Sequence, residues 1–184
     1  MKRVITFLFM LIFLTACQAP ELKIFSLNTY QAETPIALNV KKIDVISTVE
    51  RFDRLPHIED DMPVSPETAL KKWALNRFYA SQNKKVDIAQ FTIEKAYMTK
   101  KEDKSENWYT FDNEAYKLTY FVRVDFIKNG RVIYTQDVGG FESSSLPVRS
   151  SLADKEAVFE KMMNQMIKKV NNQILSQMPN EFIL

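Results

Sequence analysis

Apolar and polar residues alternate without a break from Tyr116 to Phe126, with Tyr116, Leu118, Tyr120, Val122, Val124 and Phe126 on one side. Such alternation marks a strand with one face against a core. The other side carries Lys117, Thr119, Arg123 and Asp125, with Phe121 and Ile127 as apolar exceptions. Asn129-Gly130 follows, a pair suited to a two-residue hairpin turn because both positions need positive φ. Val132, Tyr134, Gln136 and Val138 then form the returning strand. A half-polar hairpin of this kind predicts an antiparallel sheet with one covered face. Two more strands are expected. One runs from Ile36 to Val49, where Ile36, Leu38 and Val40 give way to Ile43 and Val45 on the opposite parity, so a bulge or face switch falls at Lys41-Lys42. The other takes Val86 and Ile88, then Phe91, Ile93 and Tyr97, with a parity change near Ala89-Gln90.

Two segments change to helical spacing. Ser65-Pro66-Glu67 supplies an N-cap, a proline at the first helical position and an acid in the first turn. The helix is expected to reach about Ser81, with Leu70, Trp73, Ala74, Arg77 and Phe78 on the stripe that faces the sheet. Ser151 and Asp154 resemble a capping box, with Asp in place of the usual Glu or Gln. The helix it opens runs from Leu152 to about Gln177, before Pro179, and its stripe is Phe159, Met162, Met163, Met166, Val170 and Ile174. Three methionines there fit adaptable core packing, with a surface for varied apolar partners as the alternative. Glu50 to Val64 reads as a long loop and a candidate binding element, because loops above about 12 residues are often functional. Thr99 to Glu114 reads as an extended loop or hairpin tip, Gly139 to Arg149 as a turn-rich loop, and Asn180 to Leu184 as a short apolar tail. The order is β-α-β-β-β-α: an α+β fold, with an antiparallel sheet of about four strands and two helices packed on one face.

The N-terminus obeys a different pattern. Lys2-Arg3 precede an apolar run from Val4 to Phe13, then Leu14-Thr15-Ala16-Cys17. Basic, apolar and small-residue regions in that order describe a secretory signal peptide, and the run is shorter than the roughly 20 residues of a spanning helix. Leu-Thr-Ala-Cys resembles the lipobox of bacterial lipoproteins, which implies cleavage before Cys17 and lipid attachment to it. The expected organisation is a signal peptide at 1–16, a lipidated tether at 17–35 and one periplasmic domain at 36–184. The tether is punctuated by Pro20 and Pro35 and could span roughly 50–60 Å when extended.

Cleavage also changes the charge. The whole chain carries 25 basic and 23 acidic residues; without Lys2 and Arg3 the two balance. No basic surplus points to nucleic acid. Cys17 is the only cysteine, so no disulfide is expected within the chain. Gly130, Gly139 and Gly140 are the only glycines, too few for a phosphate-cradling loop.

The chemistry-bearing residues are sparse. His57, near Asp53, Glu59, Asp60 and Asp61, is the only histidine; zinc would call for several His or Cys ligands and a calcium loop for alternating acids about a glycine. No metal and no cofactor are expected. Ser143-Ser144-Ser145 lacks a nucleophile-elbow pattern, and no spacing singles out a carboxylate pair. No enzyme is expected, and a hydrolase is the weakest alternative. Trp108, Tyr109 and Phe111 are the candidate partner-binding residues, because clustered aromatics anchor interfaces; they could also dip into a membrane interface, or start a strand and fold back onto the core.

The lipobox, the Ile24-Phe25-Ser26-Leu27 segment, the strand at Ile36 to Val49, the Lys71-Lys72-Trp73-Ala74-Leu75 helix, the meander and the long last helix follow in order. Together they resemble the auxiliary lipoproteins of ABC-type transport systems, the PqiC-like group, and uncharacterised envelope lipoproteins of alphaproteobacteria. The resemblance implies a non-enzymatic periplasmic component of envelope lipid transport or assembly, with an envelope protein or transport complex as partner and lipid as a candidate ligand. The alternative is a docking lipoprotein that stabilises a protein partner. Gln18 after Cys17 resembles lipoproteins sorted to the outer membrane.

Overall fold

In the computed structural model, residues 33–52, 54–81, 85–104 and 112–184 are described. Six strands, two helices and two short 3-10 turns occur in the order β1 (Ile36–Leu38), β2 (Val40–Ser47), a 3-10 turn (Glu59–Asp61), α1 (Pro66–Arg77), β3 (Phe78–Ala80), β4 (Val86–Asp103), β5 (Asn113–Lys128), β6 (Arg131–Pro147), α2 (Leu152–Gln177) and a 3-10 turn (Asn180–Phe182). The fold is α+β, with a four-stranded sheet in the order β2-β4-β5-β6 beside a two-stranded one of β1 and β3.

The large sheet is mixed rather than wholly antiparallel. β2 lies parallel to β4, while β4, β5 and β6 form an antiparallel meander. The reason is connectivity: α1 carries the chain back before β4 begins, and a helical crossover delivers the next strand parallel. Asn129 and Gly130 turn the β5–β6 hairpin with φ of 51° and 73°, as the sequence pattern requires.

Several boundaries differ from the expected ones. The first strand breaks at Asn39 and ends at Ser47, because β1 leaves the large sheet to pair in parallel with β3. The first helix stops at Arg77 rather than near Ser81. Phe78 turns extended (φ −123°, ψ 140°) while its N–H still closes on Ala74, and Phe78 to Ala80 become β3 opposite Ile36 to Leu38. The C-terminal tail is no loose end. Phe182 stacks on Phe126 with centroids 4.0 Å apart, and the Asn39 and Leu184 N–H groups donate to Phe182 and Ala37 carbonyls. Gly139 to Arg149 is not a loop, since β6 stays paired with β5 as far as Pro147. In the stretch at 99–114, expected as an extended loop or hairpin tip, Thr99 to Asp103 and Asn113 to Glu114 belong to β4 and β5, which pair as a hairpin out to Asp103 and Asn113.

Both helices cover one face of the large sheet. Tyr116, Leu118, Tyr120, Val122, Val124 and Phe126 are at most 3 % exposed, so the alternation in β5 is the alternation of the fold. Trp73 of α1 meets Phe78 and Phe91 edge-on, at 5.6 and 6.5 Å. From α2, Met162, Met163 and Met166 are at most 1 % exposed, which places these methionines in the core. The Ser151–Asp154 capping box forms in both directions.

Polar contacts fix where α2 lies. Tyr134 Oη donates to the Gln177 carbonyl at 2.9 Å, Gln136 Nε2 to the Gln173 carbonyl at 3.0 Å, Lys169 pairs with Glu142 at 2.7 Å and Lys155 with Glu114 at 2.7 Å. Read in order, they run the helix antiparallel to β6 and leave it one position along the strand. Trp73→Ala should destabilise the fold by about 3–5 kcal/mol in urea denaturation; a near-neutral result would contradict its place between Phe78 and Phe91.

Candidate binding face

With both helices on one side, the other side of the sheet has no layer over it among the described residues. Its surface is set by register. Across β4, β5 and β6 the rows read Lys101–Ala115–Ser145, Thr99–Lys117–Ser143, Tyr97–Thr119–Phe141 and Lys95–Phe121–Gly139. This layout depends on an irregularity that the sequence does not announce. The core positions of β4 are Ala89, Phe91 and Ile93, then Ala96 and Met98, because the register slips between Ile93 and Lys95. Tyr97, expected to join Phe91 and Ile93 in the core, therefore sits on the open face, and Lys95 with it.

Two shallow depressions of about 360 and 580 Å³ lie on these rows and share Lys117. Among the described residues, no acid lines either of them. Lys101, Lys117, Thr99, Ser143 and Ser145 put ammonium and hydroxyl groups at one end. Phe121 and Phe141 make the other end apolar, and Lys95 borders it. Phe141 is 59 % exposed, and Lys117 Nζ sits 4.8 Å over its ring, a geometry in which the ring's quadrupole attracts the cation. Gly139 is needed here: a Cβ on it would come within 2.7 Å of Phe121 Cδ2. A glycine in a strand often marks such a close approach. Farther along the face the charges cancel, since Arg123 pairs with Glu94 at 3.0 Å and Asp137 at 2.8 Å.

The end of the hairpin under this face is held from the core side. Glu114, 5 % exposed, accepts from Tyr116 Oη at 2.5 Å and pairs with Lys155 at 2.7 Å and Lys100 at 3.4 Å. Burial alone would raise its carboxyl, but the hydrogen bonds from Lys155 and Tyr116 and the charge of Lys100 outweigh it and hold the group at about 2. Burial and the same carboxylate push the Tyr116 phenol well above its ordinary value. Four residues farther along β5, burial and Glu142 raise Tyr120 to about 12, so both phenols remain neutral donors at neutral pH.

The residues singled out from the sequence fall in separate places. Cys17, Trp108, Tyr109 and Phe111 lie outside the described residues. The Glu50 to Val64 loop is fastened to the edge of β4: Ile58 N–H donates to the Met98 carbonyl, Lys100 N–H to the Pro56 carbonyl, and Glu59 accepts from Met98 N–H at 2.9 Å. His57 lies 3.1 Å from the same Glu59 oxygen and stacks on Phe52 with centroids 4.2 Å apart, so its surroundings are used in closing the loop. A small cavity of about 110 Å³ between Val49 and Glu67 is what the loop encloses. Ser143 and Ser145 face the open side. His57 bridges Thr99 on the far edge of β4, two strand spacings or about 10 Å of sheet from the serines, so no Ser–His pair forms.

No family model matches the sequence, and no curated protein does. Among solved structures, a Helicobacter pylori protein described as a homolog of the neuraminyllactose-binding hemagglutinin is 11 % identical, with a TM-score of 0.45 over 81 % of this chain and 91 % of its own. A minor lipoprotein from Acinetobacter baumannii is 13 % identical, with a TM-score of 0.44 over 74 % and 91 %. The rare lipoprotein B of Shewanella oneidensis is 14 % identical, with a TM-score of 0.42 over 73 % and 94 %. Two of these three are lipoproteins. Similarity this loose assigns no function, so the reading of this chain rests on its own residues.

That only one face of the sheet is covered was expected; which residues meet on the open face was not, because Gly139 to Arg149 reads as turn-rich. The available signal was Lys117, Thr119 and Phe121 on one parity, waiting for a partner strand. The buried carboxylate beneath gives a pH test. The folded Glu114 carboxyl titrates near 2 against an ordinary 4.5, so its stabilising contribution is complete above 4.5 and is lost as pH falls towards 2. Urea midpoints measured between pH 5 and pH 2 should fall less steeply for Glu114→Gln than for the wild type; parallel curves would contradict the pairing.

Proposed function

We propose that this protein is a lipid-anchored component of the bacterial envelope, tethered through Cys17, whose folded domain faces the periplasm and acts by binding rather than by catalysis. The anchor rests on Lys2-Arg3, the apolar run and Leu14-Thr15-Ala16-Cys17. The observation that carries the binding role is the one-sided sheet. Its open face brings three lysines, serine hydroxyls and two aromatic rings into one trough with no acid in its lining among the described residues. Auxiliary work in envelope transport or assembly suits a module of this form, and Gln18 favours the outer membrane as its location. No helix among the described residues is long and apolar enough to cross a membrane, which suits attachment by lipid.

A docking role at a protein partner is the second reading. The β4–β5 arm, paired out to Asp103 and Asn113, flanks the segment that contains Trp108, Tyr109 and Phe111. Changing Trp108 and Phe111 to Ala would abolish partner recovery from membranes under that reading.

The anchor is tested by Cys17→Ser. The variant should accumulate as uncleaved precursor at the inner membrane and take up no labelled palmitate. A cleaved, soluble periplasmic product would overturn the lipid-anchored reading.

A further inference from the structure

We propose that the trough on the open face binds one molecule of an anionic phospholipid, with its phosphate between Lys101 and Lys117 and one acyl chain along Phe121 and Phe141. This deepens the binding role above and rests on it. Lys101 and Lys117 are diagonal neighbours on β4 and β5, since Lys101 faces Ala115 and Lys117 faces Thr99. Diagonal positions lie about 7–8 Å apart, within reach of two long side chains. Lys117 is exposed, and Lys101 lies 4.0 Å from the exposed Asp103. An exposed contact at that distance contributes little, so both ammonium groups are available to a phosphate. The hydroxyls of Thr99, Ser143 and Ser145 line the same depression and can donate to phosphate oxygens.

At the other end Phe121 and Phe141 supply the apolar surface, with Thr119 in the lining and Lys95 at the border. From Lys117, beside the phosphate, to Phe121 the strand advances about 14 Å. Half the roughly 30 Å hydrocarbon core of a bilayer, about 15 Å, is the depth that one acyl chain fills. A headgroup at the lysine end therefore leaves length for one chain over the aromatic end. Phe121 over Gly139 keeps that floor low, and exposed Phe141 forms its side. Beneath α2 the buried methionines pack against the sheet. A free inorganic anion would use the lysines and leave the aromatic end unused, which is why the charge and the apolar floor together point to an amphiphile.

The test uses the full chain purified in a nonionic detergent, titrated with fluorescent phosphatidylglycerol and with fluorescent phosphatidylcholine of the same chain length. Phosphatidylglycerol should bind at least about tenfold more tightly. Lys101→Glu combined with Lys117→Glu should weaken it by about tenfold or more, Phe141→Ser should weaken it while leaving the fold intact by circular dichroism, and Lys128→Glu, at the hairpin turn, should leave it unchanged. Millimolar inorganic phosphate should fail to displace the lipid. Equal affinity for the two lipids, an unchanged affinity in the lysine variant, or displacement by phosphate alone would overturn the proposal. If Cys17 carries no lipid and phosphatidylglycerol still binds, the anchoring reading falls and the site stands. If Cys17 is lipidated and the two lipids bind alike, the site falls alone.

Discussion

Everything in this structure follows from the sheet being packed on one side only. Burying the even-numbered positions of β5 under α1 and α2 removes a continuous apolar surface from water, at roughly 25 cal/mol for each Å². That same act commits Lys117, Thr119, Phe121 and Arg123 to the other side, because neighbouring residues in a strand point to opposite faces. With no third layer among the described residues, the second face becomes surface. Its composition is therefore open to functional demands that the core face cannot meet.

Two buried carboxylates keep the arrangement in register. Glu114 and Glu142 sit on neighbouring strands of the core face, and each takes a lysine from α2. Buried ion pairs are weak contributors to net stability, yet losing one partner is costly because the other charge is left without compensation. Their effect here is positional. A smooth apolar helix could slide along the sheet, whereas Lys155 and Lys169 fit Glu114 and Glu142 in one alignment. Holding α2 this way also braces the end of the β4–β5 hairpin on whose opposite face Lys101 and Lys117 converge.

Much of this was legible in the sequence, and the failures share a cause. The β5 alternation, the Asn129-Gly130 turn, the capping box at Ser151 and the methionine stripe all depend on local pattern, and each formed as read. Asn39, Glu94 and Phe78 are places where tertiary pairing overrides local pattern. At Asn39 the chain changes sheets; at Glu94 a slip in register moves Tyr97 and Lys95 to the open face; at Phe78 a helix becomes a strand because β1 is waiting for it. Gly139-Gly140 misled for the same reason. Glycines signal a turn by propensity, but here they make room for Phe121 and Tyr120 of the neighbouring strand. The residues that meet on the open face could not be read in advance because they come from three strands, and the second half of β6 looked like a loop.

The central claim is that the open face of the sheet, rather than an outer helix surface, is where this protein meets its ligand. Photo-crosslinking in intact cells tests it most directly, with a benzophenone side chain placed at Phe141 on the open face or at Leu75 on α1, exposed 59 % and 61 % respectively. The account predicts a phospholipid adduct at position 141 and none at position 75. An adduct at 75 with none at 141 would contradict it.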